Sequence, residues 1–356
     1  MAIERNLIMT PKNEPSAHGI EPLPKGCWYA MALASQVTPR EPLAIPFQLG
    51  ELVATRTKAG EIVVRQARCA HRGCSLRQGI LEDGHLTCPY HGWQYDDQGE
   101  CVHMPALRTG ESIPKQAKIA VFPAVERHGL IWVWISRQGE PPSYDVEDIP
   151  ELDQLNMTHQ PKADITYDFK GHYSRSIENG IDPTHAPFTH GVSIGRVDAS
   201  VDLTFPTYEL EQSRYALAAK MPIKVKKLNG LAGYFLKLDA TDLYKSYRFI
   251  YPNLLLSLVN FGSRTMVALQ AHVPTGAQSA LCLNANFRNF LNKTPGLTSL
   301  FNWITISTGN KIMLEDDAII KDQEPRQVPY KGSNEILIES DKILIEFRKM
   351  MHKNQA

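Results

Sequence analysis

The sequence predicts an α+β protein of two domains, an antiparallel β domain followed by a domain that mixes helices with strands. Its 356 residues exceed the roughly 100–200 residues of a typical single domain. Short runs of β-branched and aromatic residues between turn residues dominate positions 27–145, whereas helical periodicity alternates with strand-like runs in 146–356. We therefore expect an irregular N-terminal arm over 1–26, a first domain over 27–145 and a second domain over 146–356.

The elements of the first domain are predicted from local signals. Four prolines among residues 1–26 interrupt any periodic pattern and predict an irregular arm. Strand-like runs at 52–57 and 61–65 flank a short glycine-containing segment, which predicts a hairpin. A turn-forming stretch at 96–99 predicts a second hairpin, and the apolar, aromatic run 130–135 predicts a buried strand.

The second domain contains both helical and strand-like hydrophobic patterns. A helical pattern covers about 168–186, a long helix or helix pair is predicted between 295 and 325, and an amphipathic helix is predicted over 334–351. The strand-like runs lie between the first two of these, at 247–250, 254–259 and 265–271.

Composition excludes several classes of function. Lys and Arg number 38 and Asp and Glu number 38, a balance that argues against a general nucleic-acid binder. The six cysteines are too few and too unevenly spread for a disulfide scaffold. No apolar run reaches the roughly 18 residues of a membrane span, and the first residues show no signal-peptide pattern. We expect a cytoplasmic protein without a membrane span.

Four potential metal ligands are spaced in two pairs along the first domain. They are Cys69, His71, Cys88 and His91. Two Cys and two His can hold either a zinc ion or a Rieske-type [2Fe–2S] centre. Only one residue separates Cys69 from His71, whereas zinc ligands are usually separated by two to four residues. This spacing favours the [2Fe–2S] centre over zinc. Gly73 and Gly92 suit two tight loops.

A second set of ligands follows in the second domain. Asp182 and His185 are three residues apart and would share one face of a helix. His190 follows after Pro187, which must break or kink that helix and so allows the two imidazoles to converge. Two histidines and a carboxylate form the triad of non-haem Fe(II) sites, which leave positions open for O2.

Together the motifs resemble those of the Rieske non-haem iron oxygenase family. The first reads C-x-H followed by C-x2-H-G-W, and the second reads D-x2-H-x4-H. The resemblance spans about 27–350 and is greatest to single-subunit members similar to the dicamba demethylase and pheophorbide or chlorophyllide oxygenase groups. It implies an N-terminal Rieske [2Fe–2S] domain followed by a helix-grip (START-like) catalytic domain.

The resemblance also assigns roles to individual residues. A [2Fe–2S] cluster would be held by Cys69, His71, Cys88 and His91, and a mononuclear Fe(II) by His185, His190 and Asp316. Helical spacing agrees with Asp316, whose neighbours three and four positions away are apolar. Asp317 is the rival, and Glu315 and Asp322 fit a solvated face or a helix end. Asp182 matches a carboxylate that joins the iron to a Rieske histidine of a neighbouring subunit, although it could also be a helix cap. Asn179 matches a position near the iron.

One departure from respiratory Rieske proteins concerns the reduction potential. Those proteins carry a disulfide between the two loops and a serine that bonds the cluster. Here Tyr90 replaces the partner of Cys74, and Trp93 replaces the serine. Loss of a hydroxyl donor should lower the potential of the cluster, which suits a centre reduced by a ferredoxin.

The function implied is that of a terminal oxygenase component. Electrons would come from a ferredoxin or flavin reductase, and NAD(P)H would act only through that separate reductase, since no G-x-G-x-x-G fingerprint is present. With O2 the protein would hydroxylate or oxidatively demethylate a hydrophobic or aromatic small molecule, with monooxygenation favoured over dioxygenation. The family favours homotrimers. The alternatives are a Rieske electron carrier and a non-catalytic START-like binding protein.

The sequence also suggests a docking surface and a substrate pocket. Four arginines around the cluster loops could dock an acidic ferredoxin or simply form a solvated face: Arg65, Arg68, Arg72 and Arg77. The substrate pocket is expected from segments that are apolar with isolated polar groups. These segments lie around Phe188 and at 228–235, 254–261 and 266–272.

Overall fold

The computed structural model describes residues 22–154, 162–191, 193, 209–222, 243–292, 294–332 and 334–355. The chain divides into two compact units, Met1–Tyr144 and Asp145–Ala356. All strand pairs in the described residues are antiparallel. The expected α+β class, with its β-rich first half, is confirmed.

The first unit holds three small sheets in its described part. Its strands are β1 Cys27–Leu33, β2 Leu43–Ile45, β3 Leu52–Arg56, β4 Ile62–Gln66, β5 Ile80–Glu82, β6 His85–Thr87, β7 Gln94–Tyr95, β8 Cys101–His103, β9 Val121–Phe122, β10 Ala124–Arg127 and β11 Leu130–Ile135. The sheet orders are β1-β11-β10, β2-β3-β4-β9 and β5-β6-β7-β8.

The predicted hairpins and the buried strand are present in this unit. β3 pairs with β4, and β7 pairs with β8 across a turn in which the Asp96 carboxylate accepts from the backbone N–H groups of Gln98 and Glu100. Every residue of β11 is buried, as is every residue of its partner β1. The aromatic and apolar side chains of these two strands thus form a buried core in the first unit.

The second unit contains one large sheet and, among its described residues, five α-helices. The strands are β12 Lys162–Phe169, β13 Glu209–Gln212, β14 Ala216–Pro222, β15 Leu243–Ile250, β16 Leu254–Phe261, β17 Thr265–Gly276 and β18 Ser279–Arg288. The helices are α1 Pro150–Gln154, α2 Tyr173–Ile181, α3 Ala186–Thr189, α4 Pro295–Ile320 and α5 Lys342–Gln355. The sheet order is β12-β18-β17-β16-β15-β14-β13.

Helix α4 lies close to the edge strand β12. A side chain at Gly309, in the middle of the helix, would come within 2.4 Å of Ile165 Cδ1. At the end of β12 the backbone N–H of Lys170 donates to the Asp317 carboxylate over 2.6 Å. These contacts fix the position of the last turns of α4 relative to the sheet.

Two of the three helix predictions for the second domain differ from the structure. The segment 168–186 is not one helix, because α2 ends at Ile181 and Asp182 is extended, with φ −71° and ψ 119°; a residue before proline disfavours the helical conformation, and Pro183 follows. The long helix predicted between 295 and 325 is present as one helix, Pro295–Ile320. The last helix begins at Lys342 instead of 334, since Ile336 and Ile338 are exposed and do not extend its apolar face.

No helix in the part of the chain that the structure describes is both long enough and apolar enough to span a membrane.

The start of α2 predicts a pH dependence of stability. His172 caps the helix, because its Nδ1 accepts from the Ser174 N–H, and the ring is 1% exposed. Burial, with a smaller contribution from Arg175, lowers the pKa of His172 from 6.5 to about 3. The unfolded chain therefore binds the extra proton more readily, so stability is lost as the pH falls from 6.5 towards 3. At pH 5 this residue alone should cost about 2 kcal/mol.

His172→Asn tests this prediction, because asparagine is a good cap that does not titrate. In urea unfolding followed by far-UV circular dichroism, the native chain should lose about 2 kcal/mol more than the variant between pH 7 and pH 5. His352→Asn, at an exposed position of α5, is the control and should behave like the native chain. An equal loss in the His172 variant would contradict the prediction.

Candidate metal centres

Two loops of the first unit are closed by the same pair of backbone hydrogen bonds. In one loop Cys69 N donates to Cys74 O and Gly73 N to Cys69 O, both over 2.9 Å. In the other loop Cys88 N donates to Trp93 O over 2.8 Å and Gly92 N to Cys88 O over 3.0 Å. Gly73 and Gly92 have φ of 67° and 70°, a left-handed conformation that favours glycine. The tight loops expected from the sequence are present.

The loops present a matched set of donor atoms. Cys69 and Cys88 are buried, whereas His71 and His91 are half-buried and their Nδ1 atoms lie 3.1 Å apart. Burial, followed by the neighbouring imidazole of His91, lowers the pKa of His71, which favours the neutral ring that a metal requires. Trp93 stacks on His71 at a centroid distance of 4.6 Å. The imidazole side of this centre is thus its more accessible side.

The geometry argues against a single zinc ion. Ligand atoms of one tetrahedral zinc lie less than about 4 Å from one another. Within the described residues, three or more potential ligand atoms come within 4.8 Å of one another only at His185, His190 and Asp316. The two thiols and two imidazoles therefore do not converge on one point. This separation fits a two-iron cluster, in which the thiols bind one iron and the imidazoles bind the other.

A hydroxyl group that the sequence motifs do not identify lies next to the cluster loops. Tyr95 is fully buried, and its oxygen lies 3.0 Å from Cys69 Sγ and 3.1 Å from the backbone nitrogen of Ala70. Because the Ala70 N–H donates to this oxygen, the hydroxyl hydrogen is available to the sulfur. One donor to the cluster sulfurs is thus present although Trp93 replaces the serine.

Tyr95→Phe should lower the reduction potential of the cluster. The hydroxyl hydrogen bond stabilises the more negative, reduced form, and a preference of about 1 kcal/mol corresponds to roughly 40 mV for a one-electron couple. A redox titration followed by EPR measures the shift. Tyr90→Phe is the control, since Tyr90 is 60% exposed. Equal potentials in the two variants would show that Tyr95 does not tune the cluster.

The second centre forms after α2 ends. His185 caps the short helix α3, and His190 directly follows it, so one helical turn brings the two rings to a centroid distance of 5.3 Å. Asp316 Oδ1, on α4, lies 3.1 Å from His190 Nε2 and 3.7 Å from His185 Nε2. All three ligand atoms lie within 4.8 Å of one another.

Hydrogen bonds on the far side of each ring fix its orientation. His185 Nδ1 lies 2.9 Å from Asp182 O, and His190 Nδ1 lies 2.8 Å from Glu315 Oε2. Both oxygens are acceptors, so each Nδ1 carries the hydrogen and each Nε2 keeps its lone pair towards Asp316.

The charges at this centre fit a cation. Asp316 Oδ1 is buried without a hydrogen-bond partner, a costly arrangement for a carboxylate unless a positive charge faces it. Burial lowers the pKa of His185. For His190 burial acts in the same direction, but the neighbouring carboxylates of Asp316 and Glu315 raise its pKa above the ordinary value. Two nitrogens and one carboxylate oxygen in this arrangement suit Fe(II).

Several expectations about neighbouring residues are corrected. Asp317 does not face the histidines but accepts from Lys170 N. Glu315, expected on a solvated face, accepts from His190 and from Ser193 Oγ. Because the helix ends at Ile181, Asp182 and His185 share no helix face, although a backbone hydrogen bond still joins them.

The other two candidates near the iron have weaker contacts. The Asp182 carboxylate accepts from Thr184 N and Oγ1, both over 2.7 Å, and its Oδ2 is 3.9 Å from His185 Nδ1. His185 Nδ1 therefore donates to the backbone carbonyl of Asp182 and not to its carboxylate. Asn179 is half-buried in the last turns of α2, and its place near the iron stays a prediction.

One of the four arginines cannot contribute to a docking surface. Arg65 is 1% exposed, and its guanidinium donates to Thr55, to the Asp96 carbonyl and to Asp97. Arg65 is therefore an internal residue that links β4 to the β7–β8 turn through hydrogen bonds. Arg68, Arg72 and Arg77 are exposed.

Two family models match the chain in the order of the two centres. The Rieske [2Fe–2S] domain matches residues 27–123, and the vanillate O-demethylase oxygenase C-terminal domain matches residues 169–356. The chain belongs to the Rieske oxygenases. The two domains of a Rieske oxygenase imply a Rieske cluster in the first and a mononuclear iron in the second.

Relatives that match most of this chain come from different biological settings. Protein TIC 55 of Pisum sativum chloroplasts is 27% identical over 92% of the chain, but the chain spans only 57% of its length. Methylxanthine N1-demethylase NdmA of Pseudomonas putida is 25% identical over 88% of the chain and 82% of its own length. Since some relatives are chloroplastic, a cytoplasmic location stays a prediction.

Solved structures share the fold of this Rieske oxygenase. NdmA of Pseudomonas putida CBB5 with caffeine has a TM-score of 0.74 at 23% identity, covering 92% of this chain and 90% of its own. Dicamba monooxygenase bound to dicamba has a TM-score of 0.71 at 22% identity, covering 93% and 97%. At these identities the likeness concerns the fold.

The segments expected to line a substrate pocket have different positions. Residues 228–235 lie outside the described residues, and Phe188 is 71% exposed. The other two segments fall on the neighbouring strands β16 and β17 of the large sheet.

Proposed function

We propose that the protein is the terminal oxygenase component of a Rieske oxygenase system. It uses O2 and electrons from a separate ferredoxin or flavin reductase to hydroxylate or oxidatively demethylate a hydrophobic or aromatic small molecule. The observation that carries this proposal is the convergence of His185 Nε2, His190 Nε2 and Asp316 Oδ1 in a chain that also contains the paired cluster loops.

Each ligand set has a distinct task in the proposal. Cys69, His71, Cys88 and His91 hold the [2Fe–2S] cluster, and His185, His190 and Asp316 hold the mononuclear iron. When bound, the mononuclear iron supplies the activation of O2. The chain itself contributes orientation, because Asp182 O and Glu315 hold the two imidazoles with their Nε2 atoms towards Asp316.

The transfer of electrons between the centres rests on the family resemblance. We assign Asp182 as the link to the cluster of a neighbouring subunit in a homotrimer, and Asn179 as a polar neighbour of the iron. NAD(P)H serves only the separate reductase. The half-buried imidazoles of His71 and His91 suit the entry of electrons from a donor protein.

The relatives favour monooxygenation over dioxygenation. NdmA is named a demethylase, and the solved neighbours include dicamba monooxygenase. An electron carrier would need only the first domain, and a non-catalytic binding protein would have no use for the triad, so neither alternative accounts for the second centre.

Metal analysis under anaerobic conditions, with EPR of the reduced protein, tests the proposal. The native chain should hold the two irons of a Rieske cluster and one additional iron. His185→Ala should lose only the additional iron and keep the Rieske signal. A native chain without the Rieske signal, or without the additional iron, would refute the oxygenase function.

A further inference from the structure

Two consecutive residues of α4 contact the two nitrogens of one imidazole. Glu315 Oε2 lies 2.8 Å from His190 Nδ1, and Asp316 Oδ1 lies 3.1 Å from His190 Nε2. His190 is only 2% exposed, so little water competes for either contact. Its ring is thus held between two carboxylates that a single helix supplies.

The other histidine of the centre has a neutral group behind it. His185 Nδ1 lies 2.9 Å from the backbone carbonyl oxygen of Asp182. Asp182 Oδ2 is 3.9 Å from the same nitrogen, and the Asp182 carboxylate accepts instead from Thr184. The two imidazoles therefore differ in the charge of the acceptor that binds Nδ1.

A serine holds the Glu315 carboxylate in place. Ser193 Oγ donates to Glu315 Oε2 over 2.6 Å, so the oxygen that accepts from His190 also accepts from Ser193. A glutamate is ordinarily ionised at neutral pH, and two donors on one oxygen favour the ionised form further. The Glu315 side chain is 22% exposed, and the charge of such a partly buried group is only partly screened by solvent.

A charged acceptor does more than orient the ring. A carboxylate that accepts the Nδ1–H raises the basicity of the imidazole, so Nε2 becomes a more electron-rich ligand. Such a ligand stabilises Fe(III) more than Fe(II), because the electrostatic energy grows with the charge of the ion. A carbonyl acceptor orients the ring as well, but its hydrogen bond is weaker than one to an ionised group.

We propose that Glu315 is a positioning residue whose charge makes His190 the stronger of the two histidine ligands and lowers the Fe(III)/Fe(II) potential of the mononuclear iron. Ser193 fixes the Glu315 oxygen that performs this role. The role rests on the proposed function, because it concerns the iron of the same site. It goes beyond the orientation of the ring, because the charge of the acceptor produces the effect.

Glu315→Gln separates charge from orientation, because the amide oxygen can still accept from both His190 and Ser193. At saturating Fe(II), a redox titration followed by the EPR signal of high-spin Fe(III) measures the potential of the mononuclear iron. Loss of the charge should weaken Fe(III) binding about tenfold more than Fe(II) binding, which raises the potential by about 59 mV. Asp322→Asn removes an exposed carboxylate just after α4 and should leave the potential unchanged.

The affinity for Fe(II) provides a second measurement. Anaerobic titration with Fe(II), on protein that retains its Rieske cluster, should show an affinity about 10-fold lower in Glu315→Gln and up to about 100-fold lower in Glu315→Ala. The alanine variant loses the hydrogen bond as well as the charge, so its loss should be the larger. An unchanged Rieske signal in each variant shows that the fold is retained.

The potential of Glu315→Gln decides between charge and orientation. A rise no larger than that of Asp322→Asn would overturn the proposal, since Glu315 would then only orient the ring. Because the amide keeps both hydrogen bonds, failure of this variant to bind Fe(II) would support the effect of charge. An unchanged potential in a protein with a Rieske cluster and one additional iron would leave the oxygenase function intact. A native chain without that iron would instead refute the proposed function itself.

Discussion

Asp316→Asn is expected to remove the mononuclear iron and to abolish substrate oxidation while the Rieske signal remains. The Asp316 oxygen that faces both histidine Nε2 atoms is buried and unpartnered, so its negative charge is the group that would balance the cation. A neutral amide is a poorer ligand for the metal. Oxidation should fall at least about 1000-fold, since loss of a mere partner of a ligand already costs about 10–100-fold.

Asp317→Asn is the matched control for this substitution. Asp317 is adjacent to Asp316 and equally exposed, at 8%, but its carboxylate accepts from Lys170 N, a bond that an asparagine oxygen can retain. This variant should keep its iron. Iron and EPR measurements on both proteins decide the matter: iron lost in the Asp317 variant and kept in the Asp316 variant would show that the third ligand is wrongly assigned.

The cluster loops could be predicted from the sequence because each is local. Cys69, His71 and Gly73 lie within five residues, and their spacing alone limits the geometry of the loop. The second centre is different, since its carboxylate lies on α4, far along the chain from His185. Asp316 and Asp317 both have apolar helical neighbours, and only the fold separates them by placing Lys170 N beside Asp317.

Charged and polar residues with tertiary partners were the least predictable. Glu315 has no local signal that distinguishes it from a solvated glutamate, because its partner His190 arrives from another segment. In the sequence Arg65 resembles a surface arginine, but in the fold it is buried and donates to Asp97 of the β7–β8 turn. Hydropathy assigns such residues to the surface, and burial becomes favourable only when a distant partner satisfies the charge.

Glu178→Ala should strongly destabilise the second unit while leaving all proposed metal ligands in place. Glu178 is a charged residue of α2 whose side chain is only 8% exposed. Its two oxygens accept from Arg175 and from Arg348 of α5, each over 2.7 Å. Removal of one partner of a buried ion pair leaves the remaining charges uncompensated and costs about 3–5 kcal/mol.

Glu335→Ala provides the comparison, because Glu335 bonds the same two arginines from a more exposed position, at 25%. Water can replace its carboxylate, so the expected cost is about 1 kcal/mol. Urea unfolding at pH 7 measures both values, and similar costs for the two variants would contradict the prediction. Because α2 leads directly into Asp182 and His185, loosening this helix should displace the first two candidate groups of the iron site. The Glu178 variant should therefore also lose mononuclear iron at urea concentrations where the Glu335 variant retains it.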